Sequence, residues 1–89
     1  MNSAFHMDKV LEASLRTMEA LEYQIASHQL RIRRQRERIE ELEREQQGAA
    51  ADHARTVLKR MDDVLAQAQS DLRDAEARRD NRLKATPRT

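Results

Sequence analysis

Gln47-Gly48-Ala49-Ala50-Ala51-Asp52 separates two striped segments, and its reading decides the fold. Gly48 is the only glycine in the chain. Glycine readily takes the left-handed conformation that closes many helices, because it has no Cβ to clash with the neighbouring carbonyl. Asp52 can accept bonds from the free N–H groups that open a following helix. The stretch therefore predicts an αα-turn over residues 48–51, with a first helix over about 8–47 and a second over about 52–84. Asp8 is the expected N-cap of the first helix. Thr86-Pro87 stops the second, since proline lacks the N–H that a helix needs, and residues 85–89 are expected to fray. Met7 offers an alternative start for the chain, so residues 1–6 carry no weight here.

Upstream of the turn, Leu11, Met18, Ile25, Ile32 and Ile39 recur every seven residues without a break. That repeat draws one narrow apolar stripe along a helix, the seam of a coiled coil. With Leu11 at position a, the d positions are Met7, Ser14, Leu21, His28, Gln35 and Leu42. Downstream, Ala54, Leu58, Met61, Leu65, Ala68, Leu72 and Ala75 alternate in steps of four and three, and Val57 and Val64 widen the stripe. One unbroken helix is the rival reading, since a lone glycine costs only about 1 kcal/mol and alanines propagate helix well. Phase argues against it. Continuing the first ladder would put Thr56, Arg60 and Asp63 in the seam, an offset that ordinary three- or four-residue insertions do not absorb.

Charge suggests a register for the folded-back chain. Reversal about residue 50 sets Glu45 against Arg55, Glu41 against Lys59, Glu40 against Arg60 and Arg38 against Asp62, all opposite in sign. The same register sets Ile39 on Met61, Ile32 on Ala68 and Ile25 on Ala75. Leu42, Gln35 and His28 then meet Leu58, Leu65 and Leu72. Large residues lie over small ones, as interdigitated helices require. Exposed pairs contribute a few tenths of a kcal/mol each, so they serve as register markers only.

Composition narrows the class. Charged residues make up 37% of the chain, which has one Phe, one Tyr, one Pro and no Trp. Such a chain cannot fill a globular core, because aromatics supply much of the area that cores bury. Periodic apolar residues and a net charge of only +1 argue against disorder. The expected fold class is all-α: an antiparallel helical hairpin, or coiled coil, in a single domain over residues 1–89. The absence of Cys removes disulfides and thiolate metal sites. No apolar run is long enough for a signal peptide or a membrane span, so no membrane partner and a cytoplasmic location are expected. Arg outnumbers Lys 14 to 3 and Ala occurs 13 times, a bias of GC-rich bacterial genomes.

In the charge-derived register, Arg79 and Arg82 fall where Leu21 and Met18 need apolar cover. Leu11, Leu15, Met18, Leu21 and Ile25 are thus the candidate oligomer or partner interface. Ile32, Ile39, Leu42, Leu58, Met61, Leu65 and Leu72 form the helix–helix seam. A two-fold homodimer closing into a four-helix bundle is the simplest way to cover the interface, and a helical protein partner would serve equally.

Little in the chain carries chemistry. His6, His28 and His53 have no ligand spacing, so no metal and no cofactor are expected. His28 and Gln35 read as polar seam layers that specify pairing. Ser3, Ser14, Ser27 and Ser70 have no adjoining base or elbow, and there is no glycine-rich phosphate loop, so no enzyme is expected. Arg31, Arg33, Arg34, Arg36 and Arg38 place five guanidiniums in eight residues. They could meet nucleic acid, but Arg33–Glu37 and Arg36–Glu40 at spacing four would cancel much of their field. No aromatics are interleaved for base stacking. The expected function is therefore a non-enzymatic coiled-coil interaction or oligomerisation module, a small bacterial adaptor, regulator or chaperone-like subunit. The alternative is a helical-bundle regulator binding nucleic acid through residues 31–38.

Overall fold

A computed structural model gives the backbone of residues 2–85 and the side chains of residues 9–84. It is an antiparallel hairpin of α1, Asn2–Arg44, and α2, Gly48–Ala85, with no strand among the described residues. The rod is 68 Å long and 16 × 13 Å across. No helix in the described residues is long and apolar enough to cross a membrane. Residues 86–89, which include the Thr86-Pro87 stop and nearly all of the fraying tail, lie outside the described residues. Asp8 is not a cap, because α1 is already helical from Asn2.

The reversal occurs three residues earlier than residues 48–51, and glycine does not make it. Gln46 takes the left-handed conformation, with φ 59°. Gln47 N donates to Leu42 O at 2.9 Å and Gln46 N to Glu43 O at 3.1 Å. These are the two crossed bonds of a Schellman motif, and they satisfy carbonyls that the end of α1 would otherwise leave open. Ala51 N donates to Gln47 O at 2.9 Å, so α2 starts immediately. Gly48 is its first residue, and Asp52 lies inside the helix rather than at its cap. A left-handed glutamine costs about 1 kcal/mol or somewhat more. Burial compensates, because the early start carries Ala51 and Ala54 beneath Leu42 and Ile39.

Moving the turn also moves the register. Ile39 packs in one cluster with Leu42, Ala51 and Ala54, flanked by Leu58, and does not meet Met61. Ala54 and Met61 are one heptad apart, so α2 has slipped by a full repeat and every stripe still lies on a stripe. The opposed charges do not survive the slip. None of Glu45–Arg55, Glu41–Lys59, Glu40–Arg60 and Arg38–Asp62 forms, and Arg55 instead bonds Glu43 across the seam and Asp52 on its own helix. Asp62 lies beside Arg33 and Arg36 rather than Arg38.

The core is thin and asymmetric. Its buried members on α1 are Met18, Ile32, Ile39 and Leu42, and those on α2 are Ala51, Ala54, Ala68 and Ala75. Large side chains of one helix thus fill the space that alanines leave on the other. Ala51 is the most enclosed, at 1% exposure.

Candidate interaction surface

The slip changes which apolar residues are free. The end of α2 runs further along α1, and Arg82 donates to Ser14 Oγ at 2.7 Å. Ala75 and Arg78 flank Thr17. The N-terminal half of α1 is therefore not left bare, contrary to the expectation. Met18 is buried at 7% within the single chain, and Leu11, Leu21 and Ile25 are half-buried. Of the five residues expected to form an interface, only Leu15 is openly exposed. Of the expected seam, Ile32, Ile39 and Leu42 are buried, Leu58, Met61, Leu65 and Leu72 are half-buried, and Leu58 packs against Ile39 and Leu42.

Two polar side chains sit in that seam. Gln35 donates through Nε2 to the backbone carbonyl of Ala54 at 2.9 Å, in a part-buried setting. A carbonyl has two lone pairs, so Ala54 O can accept this bond beside a helical one. The bond crosses between the helices and ties Gln35 to the Ala54 layer. His28 is half-buried one heptad away. At the turn end, the Arg55 pKa is raised chiefly by its hydrogen bond to Glu43, with the charges of Glu43 and Asp52 adding and desolvation opposing. A raised cation pKa loses its contribution only as pH climbs past the ordinary arginine value, so this contact is constant near neutrality.

Arg31, Arg33, Arg34, Arg36 and Arg38 are all exposed. Neither Arg33–Glu37 nor Arg36–Glu40 forms, so the expected local pairing is absent. They occupy four heptad positions: Arg31, Arg34 and Arg38 share one side of α1, while Arg33 and Arg36 project elsewhere.

Sequence reasoning missed a different surface. Residues 23–30 of α1 and 64–70 of α2 contain no Asp, Glu, Lys or Arg in a chain that is 37% charged. The two runs lie at one level of the rod. Ile32 and Leu65 share a groove on one side of them, and Thr17 and Arg78 share a groove on the other. Together they make an uncharged belt around the hairpin. Three large apolar side chains stand out from it: Tyr23 at 77% exposure, Val64 at 50% and Leu30 at 41%. Tyr23 and Leu30 are seven residues apart, on the side of α1 turned away from α2. The signal was present in the sequence as two charge-free runs, but only the register shows that they coincide. Among the described residues no group of three or more His, Cys, Asp or Glu could hold a metal ion. No protein-family model, curated protein or solved structure matches the chain.

Proposed function

We propose that the chain is a non-enzymatic interaction module, a helical-hairpin rod that works by packing against other helices. One observation carries this reading. The hairpin exposes 7297 Å², whereas a compact monomer of its mass would expose about 5,400 Å². The excess is comparable to the roughly 1,600 Å² that a specific protein–protein interface removes from water. Side chains on both helices are then available for docking, and the charged flanks restrict which partners fit. A small adaptor, regulator or chaperone-like subunit has this form, and the Arg- and Ala-rich composition suits a bacterial source. The experiment is sedimentation equilibrium combined with thermal unfolding over a wide concentration range. Association should raise both the mass and the unfolding midpoint with concentration. A constant single-chain mass and a fixed midpoint would remove self-assembly and leave only a foreign helix as partner.

Nucleic-acid binding is the second reading. The five exposed arginines of residues 31–38, free of the expected glutamate pairs, favour it. Binding to generic RNA and DNA should then fall steeply with added salt. No binding at low ionic strength would end this reading.

A further inference from the structure

The uncharged belt divides the rod into bands of charge, and the bands are ordered. On the turn side, the inner band (residues 31–38 and 56–63) holds seven Lys or Arg against three Asp or Glu. Beyond it, residues 39–55 hold two against five. On the open side, the inner band (residues 16–22 and 71–78) holds three Lys or Arg against five Asp or Glu. The outer band, residues 9–15 and 79–84, holds four against two. Shared grooves and one bond show the two helices level at these bands: Asp62 lines one groove with Arg33 and Arg36, Arg78 lines another with Thr17, and Arg82 donates to Ser14.

From this order we infer that the belt is the centre of an antiparallel two-fold homodimer. A second copy laid belt on belt and reversed sets the basic inner band against the acidic one. The acidic turn end then faces the open end, whose net positive charge is carried by α2 behind the contact face of α1. A copy laid in the same direction opposes like with like in every band, which costs energy. The belt can be buried without desolvating any charge. Around the two-fold axis, Tyr23 of one copy meets Leu30 of the other, and the contact is repeated by symmetry. The inference rests on the reading of the chain as a self-associating module and specifies the surface and the direction.

The test uses the full chain. Tyr23→Glu combined with Leu30→Glu should raise the dimer dissociation constant at least about 100-fold in sedimentation equilibrium. Helix content by circular dichroism should not change, because both side chains are exposed within one hairpin. The chain has no Cys, so Gln47→Cys gives a single spin-label site at the turn end that leaves the charge bands intact. In the antiparallel dimer the two labels should lie about 60 Å apart, twice the rise from the belt to the turn. In a parallel dimer they would lie within about 20 Å. A dimer with the short separation, or one unaffected by the double substitution, overturns the belt-centred geometry and leaves self-association standing. A single-chain mass at all concentrations overturns both.

Discussion

Gln46 carries the reversal with a backbone that few side chains accept, and Gly48, two residues later, has no need of its freedom. A Cβ built on Gly48 would meet nothing within 4 Å, and its φ is not positive. Gly48→Ala should therefore stabilise the hairpin by about 0.5–1 kcal/mol, through lower chain entropy and better helix propensity. Gln46→Gly should stabilise by a similar amount, about 0.5–1 kcal/mol, by relieving the left-handed cost. Each would appear as a rise of several degrees in a thermal melt. A loss of stability in Gly48→Ala would mean that glycine, not Gln46, makes the turn. Deeper in the rod, Ile39→Ala should cost about 2–4 kcal/mol, because Ala51 and Ala54 are too small to close the gap. Chemical denaturation would read that loss directly. The turn residue was not legible in the sequence: the preference for glycine is real, but placing Ala51 and Ala54 in the core outweighs it.

At the scale of the helices, the seven-residue ladder and the stripe of α2 reveal two rods that fold together. They do not reveal which heptad meets which. An apolar stripe is nearly unchanged by a shift of one repeat, so hydrophobic pattern alone leaves the register open. Opposite charges point to the wrong register, because exposed pairs contribute too little to outweigh a buried alanine layer. What distinguishes this register is the packing of Ile39 and Leu42 on Ala51 and Ala54, with Gln35 bonded to the Ala54 carbonyl beside it. Engineered disulfides test the result. Ile39→Cys with Ala54→Cys should oxidise to an intramolecular bridge. Ile39→Cys with Met61→Cys should not, because the second pair is about 10 Å further apart along the axis. Gln35→Leu should raise the thermal midpoint while making the second bridge easier to form, since a polar seam residue fixes pairing at a cost in stability.

For the whole molecule, the surface of a thin rod matters more than its core. The sequence predicts surplus hydrophobic residues at the N-terminal half of α1. The slip buries Met18 there and leaves Leu15 and Leu83 exposed toward the open end, while Tyr23, Leu30 and Val64 form apolar surface in the middle. Met18→Glu should accordingly unfold the single hairpin, seen as lost helical signal, rather than only separate copies. The charge bands add a dependence on salt. Raising ionic strength from about 0.01 to 0.15 M shortens the screening length from about 30 to 8 Å, so the dimer should weaken measurably by sedimentation. An association indifferent to salt would assign the whole contact to the apolar belt.

The turn between Leu42 and Ala51 is closed by backbone bonds and one tolerated glutamine, with a surface bond from Gln47 Nε2 to Glu45 at 3.1 Å, and it sits flush with the first core layer. It therefore sets no length for what it joins. Excising one heptad from each arm would rebuild the same closure on a shorter rod, with every apolar layer still opposite its mate. Excising it from one arm alone would strand a greasy stub on the other. The permissible sizes of this architecture are quantised, growing or shrinking by a matched pair of repeats.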